Sequence, residues 1–491
     1  MAEDVLVKER LRKLEELRKL GVNPYPYAFE QKDHANELQE TYKGLKAEET
    51  TKEKAKVAGR IMTLRRMGKA SFATLQDQSG KIQLYFRQDD MGEKQYKILR
   101  NSDMGDVIGA EGTMFKTKTG EITIYVKKFE MLAKSIRPLP EKFHGLKDDE
   151  IRFRHRELDF ITNPKTKEIL LKRAKIYKAL REFLDERGYI EVQTPILQTI
   201  YGGAQARPFT TKINAWDMKM YLRIAYEIHL KRLLVGGLER VYALSSCFRN
   251  EGVDKTHNPE FAMIEMQAAY KDYEYAMKIT EEIWEYVTKK VNGSTIINYE
   301  GKEIDVKAPW KRMTVKEAIK KFADIDVDAL SDDELKVLIR EHKIEAGERK
   351  GEMILALFEE LCEDKLIQPT HIIDHPKETA PLAKRHRDNP ELVERLEPFI
   401  NGWEVGNCYS ELIDPVLQRK LLEEQAKQLR AGEEEAHPMD EDYITALEHG
   451  LPPNCGMSIG VDRMVMLLTD SDSIREVIPF PTMKPTQKKL E

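Results

Sequence analysis

Two regions of the chain differ in how hydrophobic and polar residues alternate. Near the N terminus, residues 4–20 carry leucine and valine at helical spacing among charged residues, which predicts an amphipathic helix that ends at Gly21. Downstream, short runs alternate with a period of two, and glycine-containing turns separate them. These runs predict strands at residues 57–62, 71–76, 81–86, 107–115 and 121–126. Short strands in this succession favour a small closed barrel.

The alternation also predicts which side chains face outward from this barrel, which is of the OB type. With Ala73 and Leu75 in the core, Phe72 points outward, and the same phase on the next strand exposes Gln83. An exposed ring beside an exposed amide suits single-stranded RNA, because the ring stacks on one base while the amide bonds to the edge of another. A strand phase shifted by one residue would instead bury Phe72 as core.

After a proline-containing linker, longer helical patterns alternate with strands. A helix is predicted from Pro164 to Gly188, a strand that Pro195 ends follows it, and a further helix covers residues 272–292. The less distinctive stretch from 293 to 370 contains helices near 314–322, 331–342 and 352–364. The mixture of strands and helices predicts an α/β chain with more than one domain.

Composition narrows the classes of partner without identifying one. The 80 basic and 85 acidic residues leave a formal net charge of −5, so a polyanion must be bound by local basic patches. Net charge neither supports nor excludes RNA. The four cysteines lack the spacing of a zinc site and fit a reducing cytoplasm. The sequence has no apolar run of membrane-spanning length and no signal peptide, so neither membrane insertion nor export is indicated.

The densest group of candidate functional residues lies in a strand–loop–strand pattern near the middle of the chain. Arg249 offers a planar charged fork for a carboxylate or phosphate, and Glu251 follows two residues later. His257 and Asn258 add polar groups around the turn, and Phe261 adds an aromatic face. Such a loop suits a nucleotide, although a solvated hairpin with an incidental ion pair has the same pattern.

A second group of candidate residues lies near the C terminus, where carboxylates occupy a predicted strand. Alternation places Glu404 on one face and Asn407, Tyr409 and Glu411 on the other. Glu397 lies seven residues before Glu404. Buried carboxylates need cations, so both faces of this strand are expected to meet positive charge. Surface ion pairs are the alternative.

A third element, at residues 456–467, is a strand of small residues that leads into a helix. It places Arg463 at the start of the helix, where an arginine above a glycine-lined surface stacks on a flat ligand and meets phosphate oxygens. A strand, glycine and helix pattern is weak evidence for a site when it stands alone.

These three groups together resemble the class II aminoacyl-tRNA synthetases, in the form that the lysyl-tRNA synthetases use. The segments that resemble motif 2 are FRNEG and HNPEF, and the likeness extends upstream through GGAQARPF, MYLRIA and LKRLLVGGLERV. GMSIGVDRMVML resembles motif 3. The helix, strand and proline over residues 164–195 resemble motif 1, which forms the dimer interface of the family. The barrel resembles the family's anticodon-binding domain.

The resemblance implies a multidomain α/β architecture. An N-terminal five-stranded OB-fold β-barrel would precede a class II catalytic domain built on an antiparallel β-sheet flanked by helices. The implied division is a helical extension over 1–55, an OB-fold anticodon-binding domain over 56–135, a hinge over 136–155 and a catalytic domain over 156–491 with an insertion at about 293–370.

The resemblance also implies roles for individual residues. The implied ATP ligands are Arg249, Glu251, His257, Asn258, Phe261 and Arg463, of which the two arginines are the implied catalytic residues. The positions that match amino-acid ligands are Gly203, Glu227, Arg249, Glu265, Gln267, Asn407, Tyr409, Glu411 and Ser458. Glu397 and Glu404 match magnesium ligands, and Phe72 and Gln83 match positions that read the central anticodon base.

The implied reaction uses ATP and Mg²⁺ to activate L-lysine as lysyl-adenylate and transfers it to the 3′ end of tRNA(Lys). The implied enzyme is a cytoplasmic homodimer with no membrane or DNA partner. Four positions depart from the family. Tyr226 replaces a proline, Gln267 a tyrosine, Ser458 a pocket glycine and Ile413 an asparagine. Two alternatives therefore stay open: a paralogue with a preference for a cationic lysine analogue, or a non-catalytic RNA-binding or signalling protein with a synthetase-like body.

Overall fold

The computed structural model describes residues 2–140, 146–430 and 436–486, which form two units, Met1–Lys147 and Asp148–Glu491. The first unit contains a barrel and the second a larger sheet. The expected hinge over 136–155 includes residues 141–145, which lie outside the described residues. In the part of the chain that the structure describes, no helix has the length and apolar character needed to cross a membrane.

The alternating segment of the first unit forms a closed barrel, as its pattern predicts. Its strands are β1 (Thr50–Met67), β2 (Ala70–Gln76), β3 (Lys81–Arg87), β4 (Val107–Lys116) and β5 (Ile122–Ala133). They pair in the order β1, β2, β3, β5, β4, and β4 closes the barrel by pairing with β1. The helices of this unit are α1 (Ala2–Lys19), α2 (Ala35–Tyr42), α3 (Gln88–Met91) and α4 (Glu93–Arg100).

The strand phase inside the barrel is the one that the sequence predicts. Ala73 and Leu75 are buried in the barrel core, whereas Phe72 and Gln83 lie on the outer face and are half-buried. The ring of Phe72 lies 4.7 Å from the ring of Tyr85 on the neighbouring strand. The outward orientation of Phe72 and Gln83 is thus confirmed, and the shifted phase that would bury Phe72 is wrong.

The first unit also contains elements that the alternation did not reveal. Strand β1 begins at Thr50, ahead of the expected start of the barrel near residue 56. Helices α3 and α4 fill the connection between β3 and β4, and they bury Tyr96 and Leu99 in the barrel core. Two short helices span too few turns for their apolar periodicity to stand out in the sequence.

The second unit alternates helices and strands. Its helices are α5 (Asp149–Arg154), α6 (Arg156–Thr162), α7 (Pro164–Asp185), α8 (Glu227–Val235), α9 (Tyr273–Asn292), α10 (Val315–Ala323), α11 (Asp332–Glu341), α12 (Lys350–Cys362), α13 (Pro415–Arg430), α14 (Glu441–Glu448), α15 (Val461–Thr469) and α16 (Ile474–Val477). Its strands are β6 (Ile190–Glu191), β7 (Leu197–Gln198), β8 (Thr210–Ile213), β9 (Met218–Leu222), β10 (Arg240–Phe248), β11 (Glu260–Ala269), β12 (Ile296–Tyr299), β13 (Lys302–Asp305), β14 (Lys311–Thr314), β15 (Thr370–Pro376), β16 (Leu392–Ile400), β17 (Trp403–Glu404), β18 (Gly406–Ser410) and β19 (Asn454–Gly460).

A nine-stranded sheet organises this unit. Its strand order is β14, β15, β16, β18, β19, β11, β10, β6, and β17 pairs with β16. The pairs of β14 with β15 and of β10 with β6 are parallel, and the other pairs are antiparallel. The segments that resemble motifs 2 and 3 and the acidic segment around Glu404 lie on adjacent strands of this sheet. The predicted sheet, mainly antiparallel and flanked by helices, is confirmed.

Helix α9 packs against this sheet and closes its core. The side chain of Asp272 caps the helix by accepting a hydrogen bond from the backbone N–H of Tyr275. Trp284 is fully buried in the core that the helix shares with the sheet. The helix ends at Gly293, whose positive φ of 80° is a conformation that glycine adopts without strain.

The predicted strand after α7 is shorter than its sequence suggested. Only Ile190–Glu191 pair with β10, at the edge of the sheet. The chain leaves the sheet before Pro195, because proline has no N–H to contribute to the ladder.

Candidate active site

One cavity of about 420 Å³ in the second unit brings together all the ligand residues that the sequence places in that unit. It is lined by Gly203, Glu227, Arg249, Glu251, His257, Asn258, Phe261, Glu265, Gln267, Glu397, Glu404, Asn407, Tyr409, Glu411, Ser458 and Arg463. The two predicted anticodon residues, Phe72 and Gln83, lie in the first unit. Segments more than two hundred residues apart in the chain therefore converge on a single site.

Strand register builds the floor of this cavity. Across β11, β19 and β18, Glu265 pairs with Ser458, which in turn pairs with Asn407. Side chains two residues apart on a strand share a face, so the next row points the same way. That row consists of Gln267, Gly456 and Tyr409.

The middle strand of the floor has room only for small side chains. A Cβ atom at Gly456 would lie 2.2 Å from Oε1 of Glu411 and 2.6 Å from Nε2 of Gln267. Ser458 donates a hydrogen bond of 3.1 Å to the carbonyl of Asn407 and accepts one of 3.2 Å from its N–H. The hydroxyl of Ser458 is therefore occupied by the neighbouring strand.

Arg249 stands at the rim where β10 ends. Its backbone N–H donates to the carbonyl of Pro259 at 2.9 Å, which closes the base of the loop. Its guanidinium carbon lies 5.1 Å from the centre of the Phe261 ring. Its Nε atom is buried and makes no hydrogen bond to any residue that the structure describes. Because a buried unpaired N–H is costly, this group is well placed to bind a ligand anion.

The loop beyond Arg249 is shaped by its own polar residues. Asp254 accepts hydrogen bonds from the backbone N–H of Thr256 at 2.7 Å and of His257 at 2.8 Å. Asn258 is buried and donates at 2.6 Å to the carbonyl of Glu260. These bonds hold His257 and Asn258 at the mouth of the cavity, where both line it.

Two carboxylates, Glu397 and Glu404, lie next to arginines on the opposite wall. Burial opposes ionisation of Glu397, but Arg395 at 2.5 Å and His375 at 3.2 Å lower its pKa to about 2. For Glu404, burial dominates and raises the pKa, although Arg463 opposes that effect. The pair is thus one firmly ionised acid beside one that gains from an additional cation.

The predicted placement of Glu404 on the face opposite Asn407, Tyr409 and Glu411 is wrong, since all four line the cavity. The cause is a β-bulge. Glu404 pairs with Phe399 and Cys408 pairs with Leu396, so four residue steps on one strand face three on its neighbour. The extra residue reverses the side-chain phase. Among the bulge residues, Gly406 has no alternative, because a Cβ atom there would lie 2.3 Å from the carbonyl oxygen of Ser458.

Arg463 projects from the first turn of α15, as the sequence predicts. It donates to the carbonyl of Glu404, and the same Nη1 lies 3.3 Å from a carboxylate oxygen of that residue. The neighbouring Asp462 accepts a hydrogen bond of 2.6 Å from the N–H of Ala262 and pairs with Arg173. Asp462 thereby ties α15 to β11, which fixes Arg463 relative to the floor.

Three buried carboxylates line the far end of the cavity, and one buried lysine contacts two of them. Lys231 donates to Glu227, and its ammonium lies 2.5 Å from Oε2 of Glu411. The hydroxyl of Tyr409 donates to the other oxygen of Glu227. The third carboxylate is Glu265. This end of the cavity is therefore acidic, as the resemblance implies, but Lys231 already contacts two of its carboxylates.

Gln267 belongs to a chain of buried amides that ends on Glu411. The side chain of Asn454 donates to Oε1 of Gln267 at 2.8 Å, and Nε2 of Gln267 donates to Glu411 at 2.6 Å. All three side chains are buried. The first bond fixes the orientation of the Gln267 amide, so its N–H points at the carboxylate.

Glu265 receives its hydrogen bond from the backbone. The N–H of Tyr226 donates to Oε2 of Glu265 at 3.1 Å, and a proline at this position has no such donor. Burial raises the pKa of Glu265 to about 8, and the charge of Glu227 adds to the shift. Burial also raises the pKa of Glu411 to about 8, with Lys231 opposing the shift.

The remaining departure from the family is Ile413, which packs in the same apolar cluster as Tyr226.

Several residues of the site were not among those predicted from the sequence. Lys231 lies four residues after Glu227, which on a helix places both on one face, and this spacing is the signal that could have identified it. The other residues without a recognised signal are Arg395, His437, Asn454 and Asp462.

Comparisons with known proteins agree with this geometry. Residues 148–484 match the family model described as tRNA synthetases class II (D, K and N), and residues 55–132 match the OB-fold nucleic acid binding domain. The fold and site thus belong to a class II tRNA synthetase.

Full-length relatives narrow the class further. The chain is 52% identical to the lysine–tRNA ligase of Thermoanaerobacter pseudethanolicus, over 98% of this chain and 96% of the relative. It is 49% identical to the lysine–tRNA ligase of Clostridium novyi (99% and 95% covered) and 50% identical to that of Carboxydothermus hydrogenoformans (98% of each). The chain belongs to the lysine–tRNA ligase family.

Proposed function

We infer that this chain is an ATP-dependent ligase that activates L-lysine and transfers it to the 3′ end of tRNA(Lys). The observation that carries this inference is a single cavity with unlike ends. One end has Arg463 and Arg249, whose buried Nε has no partner among the described residues, and the other has three buried carboxylates. A nucleoside triphosphate fits the first end and a diammonium amino acid fits the second.

The first step needs positioning rather than a nucleophilic side chain. A carboxylate oxygen of lysine attacks the α-phosphorus of ATP, the bond from that phosphorus to the bridging oxygen breaks, and pyrophosphate leaves. In this proposal Arg249 bridges the lysine carboxylate and the α-phosphate, and Arg463 contacts the terminal phosphate. Fixed cations in a partly buried site stabilise the charge that develops there.

In the second step the terminal ribose hydroxyl of the tRNA attacks the carbonyl carbon of lysyl-adenylate. The acyl–phosphate bond breaks, lysine passes to the ribose oxygen and AMP leaves. The proton of the hydroxyl passes to a phosphate oxygen of the departing AMP. The intact set of charged residues in the cavity supports a catalytic role over a purely RNA-binding one, since a binding protein has no need of them.

Glu397 and Glu404 have the donor chemistry of a magnesium site. No group of three or more His, Cys, Asp or Glu side chains arranged for a metal occurs in the described ranges. A pair of carboxylates fits Mg²⁺, which keeps several waters and takes one or two protein carboxylates together with substrate phosphates. The two residues would hold Mg²⁺, which would supply positive charge for the departing pyrophosphate.

The departures in the amino-acid pocket are compatible with lysine. Tyr226 and Gln267 each supply an N–H donor to a pocket carboxylate, so both substitutions preserve the acidic character of this end. Ser458 bonds to the neighbouring strand and adds only a small volume to the floor. The alternative is a preference for a shorter or isomeric cationic amino acid.

A pyrophosphate-exchange assay across amino acids tests the function. We expect L-lysine to give the highest kcat/KM among lysine, ornithine, β-lysine and the standard amino acids. Arg249→Ala should lower exchange by about a hundredfold or more, because it removes a contact to charge that develops in the transition state. Circular dichroism and light scattering serve as controls for the fold of that variant.

Two results would contradict this assignment. Higher kcat/KM with ornithine or β-lysine would favour the paralogue with shifted specificity. Absence of exchange with every amino acid, while tRNA binding persists, would favour the non-catalytic alternative.

The raised pKa of Glu265 predicts a pH-dependent affinity for lysine. With a pKa of about 8 in the empty site, Glu265 is mostly protonated at pH 6.5, and the arriving cation favours its ionised form. Lysine binding then releases a proton, so KM for lysine should fall by about tenfold between pH 6.5 and 8. Glu265→Gln removes one of the two pocket acids with a pKa of about 8, the other being Glu411, and should make the profile shallower. A KM in the unmodified enzyme that does not change with pH would refute the role of Glu265.

The outer face of the barrel is proposed to read the anticodon. Phe72 offers a ring for stacking and Gln83 an amide, although the Gln83 carbonyl accepts a hydrogen bond from Thr123 at 2.9 Å in the free protein. Phe72→Ala should lower tRNA aminoacylation by about tenfold or more, because one stacked base contributes roughly 1–3 kcal/mol. Exchange with lysine should stay unchanged.

Tyr27→Ala is a matched control for that variant, since Tyr27 is an aromatic residue of the same unit whose side chain is fully exposed. Equal losses of aminoacylation in Phe72→Ala and Tyr27→Ala would contradict the proposal.

A homodimer through the segment that resembles motif 1 is also part of the proposal. Leu171 on α7 is 45% exposed, and Ile190, Ile196 and Leu197 are 49%, 46% and 44% exposed. Apolar side chains at this density on one segment suit a protein interface. Light scattering should report twice the mass of the chain, and Ile190→Glu combined with Leu197→Glu should halve it. A monomeric unmodified protein would contradict this.

A further inference from the structure

Lys231 is a fully buried lysine that contacts two of the carboxylates lining the cavity, whose proposed substrate is itself lysine. It lies on α8 one turn after Glu227, and its side chain has no exposed surface. Its ammonium contacts Glu227 and Glu411, and the rings of Tyr409 and Tyr443 lie 5.6 and 5.8 Å away. Burial alone would lower the pKa of Lys231, but Glu227 and Glu411 raise it well above its usual range. The side chain is therefore an ammonium ion at neutral pH.

We propose that Lys231 sets the amino-acid specificity of this cavity, because it supplies the cation that, together with two substrate ammonium groups, balances three buried carboxylates. The inference rests on the proposed function. Glu227, Glu265 and Glu411 carry three negative charges when ionised. Lys231 offsets one, and the α- and ε-ammonium groups of lysine offset the other two. The substrate carboxylate faces Arg249 and does not enter this balance.

The charge balance explains which side chains the pocket accepts. An amino acid with an uncharged side chain brings one ammonium, so one of the three acids either keeps its proton and adds no attraction, or stays ionised without a partner, which costs free energy. An additional protein cation would have the opposite effect and repel the ε-ammonium of lysine. With Lys231 present, a diamino acid matches the charge of the pocket and a neutral one does not.

Lys231 is also a positioning residue for the two acids it bridges. Glu227 matches the position that holds the α-ammonium, and Glu411 matches one that meets the side-chain cation. Both contact the same ammonium group, so their carboxylates stay close together without mutual repulsion. The bridge links recognition of the two ends of the substrate, although Lys231 itself contacts none of the reacting atoms.

Charge compensation between two substitutions tests the proposal. Glu411→Gln leaves Lys231 in excess over the remaining acids when lysine is bound, so kcat/KM for L-lysine in pyrophosphate exchange should fall by about a hundredfold, mainly through KM. Adding Lys231→Met removes the excess cation. The double variant should then regain at least about tenfold of the lost kcat/KM. A structural role for Lys231 predicts no such rescue, so a double variant no better than Glu411→Gln would overturn the proposal.

A neutral isostere gives a second readout, which does not require replacement of Lys231. L-2-aminoheptanoate has a methyl group where lysine has its ammonium. The charge balance predicts that Glu411→Gln prefers this compound over L-lysine, whereas the unmodified enzyme strongly prefers lysine. Continued preference for lysine in Glu411→Gln would overturn the proposal even if the double variant fails to fold, which thermal unfolding reports.

The same assay separates the two levels of inference. Lysine-dependent exchange in the unmodified enzyme tests the proposed function itself. The ratio between the single and double variants tests only the role of Lys231.

Discussion

The hydrogen-bonded register of β11, β19 and β18 is the constraint on which the whole site depends. It sets Glu265 beside Ser458 and Asn407 on one face, and it brings strands from distant parts of the chain within one cavity. Strand pairing leaves no freedom in this arrangement, because a slip of one residue would send every side chain to the opposite face. The loop that carries Arg249 leads into β11, and β19 leads into the helix that carries Arg463. The floor therefore also positions the end of the cavity that contains these two arginines.

The two ends of the cavity have opposite charge. An amino acid is negative at its carboxylate and positive at its ammonium groups, so the arginines and the acids favour one direction of binding. Hydrogen-bond donors of the protein hold these carboxyl groups in place, as the side-chain amide of Gln267 does for Glu411. A network of this kind fixes geometry at some expense in stability, since each member is buried.

Much of the site could be predicted from the sequence because its signals are local. Arg249 and Phe261 lie on either side of one loop, and Arg463 follows its strand directly, so periodicity places them. The barrel could be predicted for the same reason, including the outward direction of Phe72. Resemblance then supplied roles that periodicity alone cannot.

What could not be predicted depends on contacts that sequence patterns do not encode. The bulge before Cys408 reverses the phase of Glu404, and alternation has no sign of it, because the extra residue appears only when two strands are paired. The bridge from Lys231 to Glu411 joins residues far apart in the chain. The donor that Tyr226 supplies is a backbone group, so side-chain identity does not indicate it.

Strand β19 has a consequence for how sequence drift would be tolerated. Cys455 and Ile459 belong to the apolar core, whereas Gly456, Ser458 and Gly460 line the cavity. Neighbouring positions on this strand are therefore under different constraints, one set by the core and the other by the cavity. Replacements at Cys455 or Ile459 would mainly affect the stability of the fold. Replacements at Gly456, Ser458 or Gly460 would mainly affect which amino acid the cavity accepts. Substitutions in adjacent codons of this short stretch would therefore have different effects, loss of the folded protein in one case and mistranslation in the other.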